Sequence, residues 1–220
     1  MTGLAGKVAL VTGGAGGLGA VLAAALRARG ATVVAAGRHT QPSLDVRSEP
    51  SVRAAFAAVQ EAHGRLDVLV HAAGAGAFGP LESLSLDDWT RTLETNLTGA
   101  FLCSREAMGL MRRGGGGRML FLGSAAGRRG LSGMAAYGAS KFGLRGLAQV
   151  INEEGASARV QACLLTLGAV RVGLGRAVPG LDVSRMLDPD EVASAAMDLL
   201  AQPLSLRLDE LVLLPETGVL

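Results

Sequence analysis

A chain of 220 residues with 49% hydrophobic side chains can build one substantial core, and 3% aromatics means Ala, Val and Leu must fill it. The net charge of +2 forms no long run; Arg112–Arg113 and Arg128–Arg129 are short pairs without interleaved aromatics, which argues against nucleic-acid binding. The two cysteines, Cys103 and Cys163, lie in apolar stretches without metal-ligand spacing, so we expect no metal and a reducing, cytoplasmic setting.

The chain opens on "KVALVTGG", an apolar run ending in glycines, which predicts a buried strand. Val8 to Leu26 carries no charge, as a signal core or membrane span would, but "TGGAGGLG" (12–19) holds five glycines in eight residues and suits neither. We therefore expect a soluble protein with no membrane association. "LGAVLAAALRARG" reads as a helix closed by Gly30, and "ATVVAAG" as a second strand. A helix follows from about Pro50 to His63, then the strand "LDVLVHAAG" and one long helix, "LDDWTRTLETNLTGAFLCSREAMGLMRR". The strand "GRMLFLGS", the helix "AAYGASKFGLRGLAQVINEEG", the strand "ARVQACLLTLG", the helix "DPDEVASAAMDLLAQP" and the strand "DELVLLPE" complete the series. Alternating helices and continuously apolar strands predict an α/β fold: one domain over 1–220, a three-layer, doubly wound parallel sheet of the Rossmann type. Such sheets bind ligands beyond the carboxyl ends of their strands, where the glycine cluster, Gly74, Ser124 and Gly168 would gather.

Within "TGGAGGLG" the spacing of Gly13, Gly17 and Gly19, between a strand and a helix, suits a turn that lets a pyrophosphate approach the backbone and the helix N-terminus. Gly13, Gly14, Ala15, Gly17, Leu18 and Gly19 are the candidate nucleotide-binding residues. The second strand ends in Gly37 and Arg38, where an acidic residue would hold the ribose hydroxyls of NAD. A guanidinium there pairs with the 2′-phosphate of NADP, so NADP(H) is the preferred cofactor and NAD(H) the alternative.

Together with "LDVLVHAAG" (66–74), "NLTG" (96–99), "GRMLFLGS" (117–124) and "YGASK" (137–141), the glycine turn gives a chain that resembles the short-chain dehydrogenase/reductases from Lys7 to about Pro215. The resemblance implies an oxidoreductase moving hydride between a nicotinamide and a carbonyl or secondary alcohol, with Tyr137, Lys141, Ser124 and Asn96 in the catalytic places. It also implies that Asp45, Val46, Ala72, Ala73, Gly74, Gly168 and Val170 line the cofactor site, along with Tyr137 and Lys141. A homodimer or homotetramer is expected on the same grounds. Tyr137, the only tyrosine, shares a helix face with Lys141 at i+4, where an ammonium would lower the phenol's pKa and suit it to acid–base work. Ser124 would hydrogen-bond the substrate oxygen, and Asn96 would hold a helix and a water.

Several positions depart from the family pattern. His71 and Ala72 replace an Asn pair, and Val172 stands where a Thr helps hold the nicotinamide. His71 is expected to be a satisfied strand-end residue. Between Arg38 and "LDV" (44–46) only "HTQPS" remains, so an outer helix is missing and the strand after it is a stub. Arg171 to Met186 should form a mobile apolar lid over a small, largely apolar substrate. The departures motivate a rival reading, a cofactor-binding regulatory or structural protein with little turnover.

Overall fold

The computed structural model describes residues 3–177, 182–216 and 218. Six strands form one sheet: β1 (Val8–Thr12), β2 (Thr32–Ala36), β3 (Val68–His71), β4 (Gly117–Ser124), β5 (Val160–Leu167) and β6 (Glu210–Leu213). Their spatial order is β2-β1-β3-β4-β5-β6, and every pairing is parallel. Among the described residues there are six α-helices, α1 (Gly17–Ala28), α2 (Glu49–His63), α3 (Leu86–Leu93), α4 (Gly99–Arg113), α5 (Ala135–Gly155) and α6 (Pro189–Leu200); α3 packs on α5 and the others cover the sheet.

The two faces carry separate apolar clusters. One packs α2, α4 and α5 through residues such as Phe56, Leu102 and Leu144; the other packs α1 and α6 through Leu22, Leu26 and Val192. β1 and β3 are buried along their whole length, which their continuous Val/Leu/Ala composition requires when both faces are covered. This is the three-layer fold expected.

The segment from Gly37 to Ser48 contains no helix and no full strand. The expected stub is a single bridge between Gly37 and Ser43, backed by the Leu44 N–H donating to Gly37 O at 2.8 Å. β2 is therefore a sheet edge, and only Ala36 in it is buried.

The long helix predicted over 86–113 is not continuous. A wide π turn over Glu94–Thr98 separates α3 from α4, with the Gly99 N–H reaching back to Glu94 O. Such a turn adds a residue to the helical repeat and re-aims the side chains around it. Here it turns Asn96 into the protein, 1% exposed.

A buried arginine locks the amino end of the sheet to α6. Arg118 in β4 is 2% exposed and donates to the carbonyls of Leu199, Gln202, Pro203 and Leu206 and to Gln161 Oε1, at 2.7–3.2 Å. Its charge thus meets the open carbonyls past the C-terminus of α6. Arg118→Met is expected to lower unfolding stability by about 3 kcal/mol, since charge-assisted bonds vanish and carbonyls are left without donors. Urea unfolding measures this, and a loss below about 1 kcal/mol would mean that water replaces the guanidinium.

Candidate active site

The loops after β1, β3, β4 and β5 border one cleft of about 540 Å³. Four carboxyl strand ends therefore converge where a parallel sheet places its ligands.

At one end lies the glycine turn. Gly13 takes φ +65°, and a Cβ there would stand 2.8 Å from Ala73 N. The position thus demands glycine for conformation and for space. Gly13, Gly17 and Leu18 line the cleft as predicted, and so does Gly16, which the sequence reading omitted. Gly14, Ala15 and Gly19 do not line it. Gly14 lets the turn sit on β2, because a Cβ would meet that of Ala35 at 2.9 Å, and Gly19 is packed under Gly13 O. Ala15 faces solvent. The cradle fits a pyrophosphate: Gly16 has open space where a Cβ would be, at the N-terminus of α1.

Arg38, Asp45, Val46, Ala72, Ala73, Gly74, Gly168 and Val170 all line the cleft. Arg38 is exposed at its rim. Two further guanidiniums, Arg47 and Arg91, line it without having been singled out from the sequence. Nothing in an isolated "DVR" marks the first, and the second sits in a helix that reads as ordinary surface.

At the other end are Ser124, Tyr137 and Lys141. Ser124 closes β4; Tyr137 and Lys141 are one turn apart on α5. Burial pushes the Tyr137 phenol above its ordinary value, and hydrogen bonding from the Ser124 side chain pulls it the other way. The expected lowering by Lys141 is not met. Lys141 Nζ donates to Leu122 O at 2.7 Å and lies 5.3 Å from the centre of the Tyr137 ring. Burial holds the Lys141 ammonium down at about 8. Phe78 meets the Tyr137 ring edge-on at 5.7 Å, and Leu131, Met134 and Leu174 complete an apolar wall.

Asn96 stands behind the cleft and does not line it. Its Oδ1 accepts the Ala75 N–H at 2.8 Å, and its Nδ2 donates to Ala75 O and Ser140 Oγ, both at 2.9 Å. Its side chain thus pins the loop after β3 to α5.

His71 is only half satisfied. Its Nδ1 pairs with Thr12 Oγ1 at 3.2 Å, and that hydroxyl accepts the Ala73 N–H at 3.2 Å. Nε2 is buried and makes no hydrogen bond of ordinary geometry, though the Thr95 backbone acts on the ring. The Thr12–His71–Ala73 linkage ties together the ends of β1 and β3, which carry two walls of the cleft.

The predicted lid lies partly outside the described residues, at 178–181, which include Pro179. Its first part crosses the cleft: a Cβ on Gly173 would stand 3.3 Å from Gly17 Cα, and one on Gly76 would meet both Phe78 and Leu174. Val172 lines the same wall.

Known proteins match this arrangement. The sequence profile of the short chain dehydrogenases matches residues 41–179, beginning just after the glycine turn and Arg38. The D-threitol dehydrogenase of Mycolicibacterium smegmatis is 36% identical, covering 89% of this chain and 86% of that protein. The 2-dehydro-3-deoxy-L-rhamnonate dehydrogenase (NAD(+)) of a Sphingomonas species is 37% identical over 74% of this chain and 71% of its own length. Among solved structures, a variant of the actinorhodin polyketide ketoreductase with NADPH superposes with a TM-score of 0.88 at 27% identity, covering 97% of each chain. A cleft at the carboxyl strand ends, a serine, tyrosine and lysine gathered in it, and relatives named for dehydrogenation agree: the chain belongs to the short-chain dehydrogenase family, oxidoreductases that act between CH–OH and C=O.

Proposed function

We propose that the protein is an NADP(H)-dependent oxidoreductase interconverting a carbonyl and a secondary alcohol on a small, largely apolar substrate, with Tyr137 as general acid/base. The observation that carries this reading is the polarity of the cleft. A glycine cradle and Arg38 occupy one end, and Tyr137 and Ser124 face an apolar wall of Phe78, Leu131, Met134 and Leu174 at the other.

When bound, the nicotinamide would supply or accept the hydride. The residues of the chain do the rest. Tyr137 donates its phenolic proton to the carbonyl oxygen as reduction proceeds. Ser124 hydrogen-bonds the same oxygen while charge develops on it. Lys141 places a positive charge beside this pair, and Asn96 fixes the Ala75 loop that bounds it. The raised phenol favours the protonated form at neutral pH, which suits the reductive direction. Oxidation needs the phenolate, so its rate is expected to climb as the pH rises.

Under the same reading the protein works in the cytoplasm as a homodimer or homotetramer. Cys103 and Cys163 are buried and unbridged, with burial pushing each thiol up to about 12. Among the described residues no helix is long and apolar enough to cross a membrane. Phe101 on α4 and Phe142 on α5 stand 45% and 47% exposed, surface an assembly would cover.

Paired titrations with NADPH and NADH, followed by nicotinamide fluorescence, test the reading. Wild-type protein is expected to bind NADPH about tenfold or more tightly than NADH, and Arg38→Ala to erode that ratio, as loss of a charge-assisted phosphate contact does. Equal ratios in the two proteins would take Arg38 out of the discrimination, and a wild type that binds NADH at least as tightly as NADPH would move the assignment to NAD(H). No binding of either nucleotide would favour the regulatory alternative.

A further inference from the structure

Arg47 follows Asp45 and Val46 in the segment that replaces the missing helix. The Gly37–Ser43 bridge and the Leu44 N–H to Gly37 O bond draw this segment against the end of β2, which carries Arg38. Arg38, Asp45 and Arg47 then line one end of the cleft. Arg47 Nε and Nη2 donate to Oδ1 and Oδ2 of Asp45 at 3.1 and 2.8 Å, and the Arg47 backbone N–H donates to Oδ1 at 3.0 Å. Asp45 therefore holds the guanidinium in place at the cleft wall. Both partners are about one-third exposed, so solvent and solutes reach them. Asp45 takes two of the five guanidinium N–H donors. Glu94 adds a second negative charge near Arg47, and Arg38 also acts on Asp45. Arg38 and Arg47 balance these two carboxylates, so a phosphate there would draw on the guanidinium N–H donors that Asp45 leaves open, and an arginine fork matches a phosphate better than a lone point charge does.

We propose that Arg47 is a second receptor for the 2′-phosphate of NADP, held in position by Asp45 and acting with Arg38. The proposal rests on the NADP(H) reading given above. Arg47 leaves part of its bond with Asp45 for the phosphate dianion, and with a nucleotide that lacks this phosphate it stays on Asp45. Arg47 thereby adds to selectivity for the phosphorylated ribose without touching the reacting end of the cleft.

Calorimetric titration of the purified protein with 2′,5′-ADP and with ADP isolates this contact from the nicotinamide. The wild type is expected to prefer 2′,5′-ADP. Arg47→Met keeps the aliphatic stem and should weaken 2′,5′-ADP about tenfold while ADP stays within about twofold. Arg47→Lys should recover part of the preference, because charge returns without the fork. An Arg47→Met protein that keeps the wild-type preference, alongside an Arg38→Met protein that loses it, would overturn this proposal and leave the NADP(H) reading intact. A wild type that does not discriminate between the two ligands would overturn the NADP(H) reading itself. Equal weakening of both ligands by Arg47→Met, at unchanged thermal unfolding, would assign Arg47 to general shaping of the cleft and also overturn the proposal.

Discussion

Tyr137→Phe is expected to lower kcat by about three orders of magnitude while nucleotide affinity stays within about twofold of wild type, in line with losses seen when a positioned acid or base is removed. The substitution deletes one oxygen and keeps the ring. The ring's edge contact with Phe78 at 5.7 Å needs no hydroxyl, and Ala136 and Ser140 around it on α5 are buried regardless. A loss of turnover without loss of binding or fold therefore reports the phenolic proton alone. The pH dependence adds a second readout. In the wild type, reduction should fall as the pH climbs through the raised phenol and oxidation should rise. In Tyr137→Phe the residual rates should lose this dependence. A carbonyl substrate turned over equally well by both proteins would remove Tyr137 from the chemistry and leave it as a packing ring.

Much of this site was legible before any coordinates. Strand runs such as "VALVT" and "VLVH" are continuous because both sheet faces are covered, and that fixes where their carboxyl ends meet. Ser124, Tyr137 and Lys141 were placed by the resemblance to the short-chain dehydrogenase/reductases, and the strand end and helix face that carry them agree with it. What was missed depends on backbone detail that local patterns do not encode. The π turn at Glu94–Thr98 has no sequence mark, so the bonds by which Asn96 ties Ala75 to α5 could not be read in advance. Within the glycine turn all the glycines look alike. Only packing separates Gly16, which opens to the cleft, from Gly14, which rests on Ala35. The sign of the Tyr137 shift differs from the expectation because i+4 spacing says nothing of how deeply the phenol is buried. Lys141 turns to Leu122 O, and burial of the phenol then decides. Arg47 lines the cleft beyond the Gly37–Ser43 bridge, a matter of three-dimensional closure that its neighbours in sequence do not mark.

His71 gives the second large effect, and it appears in stability rather than in rate. Burial, with Lys141 nearby, holds the ring's pKa at about 3, against an ordinary value of 6.5. Below pH 6.5 the unfolded chain takes a proton that the folded chain refuses. Stability must therefore fall as the pH drops from 6.5 toward 3, at about 1.4 kcal/mol per unit well inside that window. Carboxylates that are stabilised in the fold act lower down: Glu210, held at about 2 by Arg145, loses its contribution only below its ordinary 4.5. The interval between pH 6.5 and 4.5 thus separates His71 from them, and the loss there should reach roughly 2 kcal/mol. His71→Asn keeps a polar group beside Thr12 but cannot be protonated, so its urea-unfolding stability should stay nearly flat across the same interval. If the two proteins lose stability in parallel, the acid sensitivity belongs to another group. The imidazole would then accept its proton within the fold, beside the Lys141 ammonium, and the Thr12–His71–Ala73 linkage would not depend on a neutral ring.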